Sequence, residues 1–239
     1  MNRPTTCYMC DAQPTSVEHV PPKCLFPAQK DLPPGVVLRH QLITVPSCDA
    51  HNGAKSKDDL YLQYALVFAI PTNVIGRNHF AAAVRRRIDE RPALATAMME
   101  NPQPVVAVDK ATGIAERTVA VDIDRARLDG VLEHVGRGLH FHHFGTQWTG
   151  PLQVHPEFLM TSLDPAVAPA LNAPRERFVE RLNEAFAQVP FHGANPDVFR
   201  YQVIGATSDT PTFMRLHFYG DVKVTLIFNA FDPETAAPV

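Results

Sequence analysis

Cysteine is scarce in this chain and confined to one end. Of 239 residues only four are cysteine, Cys7, Cys10, Cys24 and Cys48, all in the first fifth of the sequence. A disulfide scaffold spreads its cysteines through a short secreted chain, so that architecture is excluded. Long apolar runs are missing too: no stretch approaches the ~18 residues of a membrane span. The first ten residues, MNRPTTCYMC, hold no apolar core of a secretory signal. A reducing, cytoplasmic setting is expected, where thiolates bind metal. Positive charge is not in excess, with 22 Lys and Arg against 25 Asp and Glu, a net charge of −3. That excludes a whole-surface electrostatic grip on nucleic acid but not a local one. Internal repeats and low-complexity tracts are absent. Hydrophobic residues make up 45% of the chain, which predicts a packed core.

The cysteines that are present fall into a pattern. Cys7-x-x-Cys10 and Cys48-x-x-His51 are two pairs of soft ligands, each separated by two residues, a spacing that wraps one tetrahedral Zn²⁺. Four protein ligands fill its coordination sphere, so this zinc is expected to be structural. Cys24 reads as an ordinary buried cysteine, with replacement of His51 as ligand the alternative. Between the pairs lies Glu18-His19, a carboxylate beside an imidazole. A metal-activated hydrolase needs one group to accept a proton and another to hold a divalent ion.

The segment Cys7-x-x-Cys10 … Glu18-His19-Val20-Pro21-Pro22 … Cys48-x-x-His51-Asn52 … Lys55 resembles the HNH (ββα-metal) nuclease family. The similarity is to the branch in which a zinc knuckle supports the nuclease hairpin and helix, and it covers about the first quarter of the chain. The resemblance implies that His19 is the general base toward the attacking water, that Glu18 ligates Mg²⁺ or Mn²⁺, and that Asn52, next after the last zinc ligand, supplies a second ligand to that ion. Lys55, one turn beyond Asn52, would contact phosphate. Oxygen ligands such as Glu18 and Asn52 suit Mg²⁺ or Mn²⁺, and a near-neutral histidine is the natural base at physiological pH. The chain departs from the family's pattern in three places. His51 stands where cysteine is usual, Glu18 where aspartate is commoner, and Ile43-Thr44-Val45 where a central asparagine orients the base. Thr44, His40 or Gln41 are the available substitutes.

The remaining sequence predicts mixed secondary structure. Pro33-Pro34-Gly35 reads as a turn, with Val36-Val37-Leu38 and Leu42–Val45 strand-like on either side of a bend. Ser56 and Asp59 suggest a capped helix start, followed by Leu60, Tyr64, Val67 and Phe68 at helical spacing up to Pro71. Further helices are expected over 78–90, through Met98-Met99, over 125–136 and over 174–187. Val105–Val108 and Thr118–Val121 predict a hairpin around Thr112-Gly113. The strongest β signal is Phe213–Tyr219 and Val222–Phe228 around a two-residue Gly220-Asp221 turn, with Phe199–Ile204 as another strand. Arg85-Arg86-Arg87, followed at once by Asp89 and Glu90, reads as a solvated ion-paired face rather than a nucleic-acid groove. His140, His142 and His143 read as core and surface histidines of a packed aromatic segment; in a strand, His140 and His142 would share a face and invite a second metal site. Phe144 and Trp148 read as core.

The expectation is therefore an α+β protein: an N-terminal zinc-bound ββα-metal module (1–57), a helical connector (58–103) and a C-terminal α+β domain with an antiparallel sheet (104–239). The expected function is divalent-metal-dependent hydrolysis of phosphodiester bonds in DNA, with RNA the less favoured substrate and no membrane partner. The C-terminal domain would serve substrate choice, homo-oligomerisation or a protein partner. The rival expectation is a degenerate HNH fold kept as a zinc-stabilised binding or scaffold module. A third, a small-ligand protein built on the C-terminal sheet, predicts a closed apolar pocket there.

Overall fold

The computed structural model describes residues 6–52, 56–90, 100–108, 113, 115–164, 166–205 and 211–229. In chain order these form β1 (Ser16–His19), β2 (Thr44–Ser47), α1 (Asp49–Asn52), α2 (Ser56–Phe68), α3 (Val74–His79), a wide-turn segment Phe80–Val84 and α4 (Arg85–Glu90). There follow β3 (Glu100–Val108), β4 (Ala115–Asp122), α5 (Arg125–Phe144), β5 (Leu152–Pro156), α6 (Ala168–Phe186), β6 (His192–Asn195), β7 (Phe199–Ile204), β8 (Thr212–Phe218) and β9 (Val222–Phe228). Three antiparallel sheets result: β1-β2, β3-β4, and a five-stranded sheet in the order β5-β9-β8-β7-β6. The protein is α+β, with its largest antiparallel sheet in the C-terminal region.

Side-chain alternation explains how the large sheet packs on both faces. Tyr201, Met214, Leu216, Phe218, Val224, Leu226 and Phe228 are buried in the main core. The opposite face carries Gln202, Arg215, His217 and Thr225, and α6 covers it. Gln202 Nε2 donates to the Phe186 and Val189 carbonyls, while Arg215 Nη2 donates to Asn183 Oδ1 of α6 at 2.8 Å. Arg215 also makes a two-pronged ion pair with Glu157 at 2.8 and 2.5 Å, and Thr225 Oγ1 donates to the same carboxylate at 2.8 Å. Both charges are buried, so each is satisfied by its partner and the surrounding dipoles rather than by water.

The helix α5 joins the sheet to the N-terminal region. Asp124 caps its start by accepting from the Arg127 N–H, and Gly145 closes it in the left-handed conformation. Leu128, Val131, Leu132, Val135 and Leu139 form its buried stripe. Two glycines let other elements come close. A Cβ on Gly136 would lie 2.7 Å from Leu226, and one on Gly138 would lie 2.7 Å from Val20, the residue after β1. The helix α2, buried on every side from Tyr61 to Val67, packs against α5. One continuous core thus runs from Cys7, Tyr8 and Val20 through α2 and α5 to Phe228.

Several sequence expectations need correction. Val36–Leu38 form no strand, because the loop between β1 and β2 is held by turns and two short 3₁₀ segments. The helix expected over 78–90 begins at Val74, where the Asn73 side chain caps it by accepting from Gly76 N. The helix expected to stop at Gly136 continues to Phe144, so His140, His142 and His143 lie on helix rather than strand. The helix expected from Pro174 begins at Ala168 and carries that proline inside it. The β8–β9 loop is three residues, Tyr219–Asp221, with Tyr219 and Gly220 both at positive φ. The helical piece expected through Met98-Met99 lies outside the described residues, as does Lys55.

Candidate metal centre and catalytic site

The two ligand pairs converge. Cys7 and Cys10 lie on the loop before β1, while Cys48 and His51 flank the start of α1 directly after β2. Antiparallel pairing sets Ser16 opposite Ser47 and so brings the two ends together. The Cys10 and Cys48 sulfurs are 3.8 Å apart, and His51 Nδ1 lies 3.5, 3.5 and 3.2 Å from the sulfurs of Cys7, Cys10 and Cys48. All four ligand atoms fall within 4.8 Å of one another. Zinc bonds of about 2.3 Å to sulfur and 2.0 Å to nitrogen give tetrahedral edges of about 3.8 Å S···S and about 3.5 Å S···N. The cluster therefore has the size and donor chemistry to hold a metal ion such as zinc. Crowding alters the thiols themselves. Burial would raise Cys48, but hydrogen bonds from the His51 backbone and ring and from Cys10 and Cys7 outweigh it and bring the thiol down to about 7. Cys10 is pushed up: the Ala12 backbone favours its thiolate, but burial and the Cys48 and Cys7 thiols oppose it.

The knuckle is braced from far along the chain. Gln147, just past α5, donates Nε2 to the Cys7 carbonyl at 2.6 Å and to the Cys10 carbonyl at 2.8 Å. Cys7 N donates to Ala12 O and Tyr8 N to Pro46 O, each at 2.8 Å. At the other end Thr15 Oγ1 donates to Asp49 Oδ1 at 2.6 Å, tying the approach to β1 to the first turn of α1.

Glu18 lies on β1 and Asn52 at the end of α1, each held by its own hydrogen bonds. Ser16 and Glu18 share one side of β1 by alternation. Tyr8 Oη donates to Glu18 Oε2 at 3.0 Å, and Ser47 Oγ lies 3.5 Å from the same oxygen. Glu18 is only 9% exposed. Asn52 Nδ2 donates to Ser16 Oγ at 2.7 Å. Burial pushes the Tyr8 hydroxyl far above the ordinary tyrosine value, with the charge of Glu18 and the hydrogen bond to it adding to the effect, so it remains a donor.

His19 sits at the end of β1, opposite Thr44 across the ladder. It is partly exposed, and its ring makes no hydrogen bond among the described residues. Burial holds its pKa below the ordinary histidine value, assisted by the positive charges of Lys23 and Arg39 and opposed by Glu18. The imidazole is therefore neutral at pH 7. Arg39 is committed in part to the loop, donating Nε and Nη2 to the Phe26 carbonyl at 3.1 and 2.8 Å. His40 and Asn195 of β6 exchange two hydrogen bonds, 3.2 and 2.7 Å, which fasten the loop to the large sheet.

Other candidates separate from this site. Cys24 is a partly buried thiol donating to the Asp59 carbonyl, away from the four-ligand cluster. Arg86 pairs with Asp31 at 3.2 Å. His140 is buried, its Nδ1 at 3.0 Å from the Thr146 carbonyl and its ring among Phe144, Trp148 and Phe228. His143 and His192 stack edge-on at 5.0 Å, and burial followed by the neighbouring histidines lowers the His143 pKa. Among the described residues the Cys7, Cys10, Cys48, His51 group is the only set of three or more such side chains close enough to hold a metal. Sequence reasoning missed Tyr8, Ser16, Ser47 and Gln147. Tyr8 was visible inside Cys-x-x-Cys, but its contact with Glu18 depends on how the knuckle folds back over β1. No helix among the described residues is long and apolar enough to cross a membrane. Comparison with protein-family models, with curated proteins and with solved structures finds no match to this chain.

Proposed function

We propose that this chain is a divalent-metal-dependent endonuclease of the HNH type, hydrolysing phosphodiester bonds in DNA. The observation that carries the reading is one arrangement: the β1–β2 pair bearing Glu18 and His19 runs through Cys48 into the turn bearing His51 and Asn52, all tied to one Cys₃His cluster. In this reading the cluster binds structural zinc and takes no part in the chemistry. Glu18 and the Asn52 amide oxygen hold the second ion. When bound, that Mg²⁺ or Mn²⁺ supplies charge to a non-bridging phosphate oxygen and to the leaving 3′ oxygen. His19 takes the proton of the attacking water through its neutral ring, a role its lowered pKa supports. Lys23 and Arg39, whose charges act on His19, would favour an approaching phosphate in this reading. Lys55 is assigned a phosphate contact by the resemblance alone. The large sheet and α6 are assigned substrate choice, self-association or a protein partner.

The scaffold reading is favoured by one observation. Thr44 stands opposite His19, and no group among the described residues orients the ring. The deciding experiment is Mg²⁺- and Mn²⁺-dependent cleavage of plasmid and single-stranded DNA by the protein and by His19→Ala, with zinc content measured on both. Cleavage lost in the variant with zinc retained supports the nuclease. Absence of cleavage by both at full zinc occupancy supports the scaffold. Equal cleavage by both removes His19 from its role.

A further inference from the structure

The histidines at the end of α5 take no part in the reading above. His140 is committed to the Thr146 carbonyl and to the rings around it. His143 is exposed, in the last turn of the helix. Its ring meets that of His192, the first residue of β6, edge-on at 5.0 Å with 82° between the planes. β6 is an edge strand of the large sheet, and register sets His192 opposite Tyr201 of β7. Tyr201 Oη lies 3.5 Å from His143 Nδ1. His143 Nε2 and both nitrogens of His192 have no hydrogen-bond partner among the described residues.

Two imidazoles that share one metal ion sit at a set separation. Metal–nitrogen bonds of about 2.0–2.1 Å, with each ring centre about 1.15 Å behind its nitrogen, place the centroids about 4.5 Å apart at a right angle and about 5.2 Å apart at a tetrahedral one. The observed 5.0 Å falls between these values. Burial, then the charges of His192, His142 and His140, hold the His143 pKa below the ordinary histidine value. The ring is therefore neutral at pH 7, with a lone pair to offer. Burial pushes the Tyr201 hydroxyl up to about 12, so it stays uncharged beside Nδ1 and can accept its proton. A histidine bound to metal through one nitrogen usually hands its other N–H to such an acceptor.

We propose that His143, through Nε2, and His192 together hold a divalent ion of the Ni²⁺, Cu²⁺ or Zn²⁺ class, separate from the Cys₃His cluster, with water in the remaining positions. Imidazole donors select these ions over Mg²⁺ and Ca²⁺, which take oxygen. The ion clips the end of α5 to the edge strand β6. Each clipped segment also carries a fastening to the N-terminal region: Gln147 follows His143 by one helical turn's length of chain and braces Cys7 and Cys10, and Asn195 ends β6 and exchanges hydrogen bonds with His40.

The test uses the full chain with its Cys₃His cluster loaded with zinc, and Ni²⁺ as the probe, followed by calorimetry and by the imidazole resonances in NMR spectra. The expected result is a saturable Ni²⁺ site that broadens the His143 and His192 resonances before those of the other histidines, with zinc content unchanged and no competition from Mg²⁺. His143→Gln and His192→Gln should each abolish that site, and the double variant should lose no more than either alone, because both rings serve one ion. His142→Gln, on the adjacent exposed residue, should keep it. Absence of saturable Ni²⁺ binding overturns the proposal. So do losses that add in the double variant, which would mark two independent surface histidines, and loss of the site in His142→Gln. The resonance measurement needs no substitution and decides the matter if a variant fails to fold. None of these outcomes depends on whether the chain cleaves DNA.

Discussion

The N-terminal β1–β2 region and the five-stranded sheet that begins at β5 solve the same problem with different means. The β1–β2 pair has two strands of four residues, and beside it four side chains converge closely enough to hold a metal ion. The β5-β9-β8-β7-β6 sheet has a buried apolar face and a covered polar face, and needs no ligand. A two-stranded pair alone is marginal in water, and a segment too short to bury a core gains most from a metal. The difference teaches that the N-terminal end would gain from coordination what the C-terminal sheet gains from buried area.

The strongest way to break this contrast is to remove the metal. Cys48→Ala, or chelation, should abolish stoichiometric zinc binding and the amide exchange protection of β1–β2, while β8–β9 keep theirs. Structural zinc in small domains is worth about 10–16 kcal/mol in apparent terms, so no graded response is expected. Equal loss of protection in both sheets would erase the distinction. On the other side, Arg215→Ala strands the buried Glu157 carboxylate. It should cost about 3–5 kcal/mol in denaturant unfolding with zinc content unchanged.

Gly138→Ala strikes where the two regions meet. Its methyl would press on Val20 at 2.7 Å, and relief of such overpacking costs about 1–3 kcal/mol. Both regions should lose stability together, read as a single lowered unfolding midpoint. A further effect appears only in acid. Burial, with Lys223, Arg215 and Arg200 nearby, lowers the His217 pKa to about 3, so the ring is neutral when folded. The unfolded chain takes up a proton below about 6.5. Stability contributed by this group is therefore complete above pH 6.5 and is lost as pH falls toward 3. His217→Gln should flatten that part of the stability-against-pH curve without affecting zinc.

The sheet was readable in the sequence where one face is apolar throughout. Met214, Leu216 and Phe218 alternate, as do Val222, Val224, Leu226 and Phe228, and both strands form where that pattern places them. The ligand cluster was readable because its spacing is local. The end of α5 was not, since Gly136, Gly138 and His140 interrupt the apolar stripe. They do so for tertiary reasons, the glycines to admit Leu226 and Val20 and the histidine to reach Thr146. The start of α3 was hidden because its cap, Asn73, also donates to Asp197, a residue 124 positions away. Tyr8 and Gln147 were hidden for the same reason, their partners being set by packing and not by neighbours in the chain.

Gln147 has a consequence for the order in which the molecule can be made. Its amide closes on Cys7 and Cys10 across 140 residues of chain. Asn195 reaches His40 across 155, and Tyr219 reaches Leu25 across 194. A chain emerges from the ribosome N-terminus first, at about 5–20 residues per second. The ligands Cys7, Cys10, Cys48 and His51 are therefore made before Gln147, Asn195 and Tyr219, so the contacts that fasten the N-terminal region to the later elements can close only after those residues emerge.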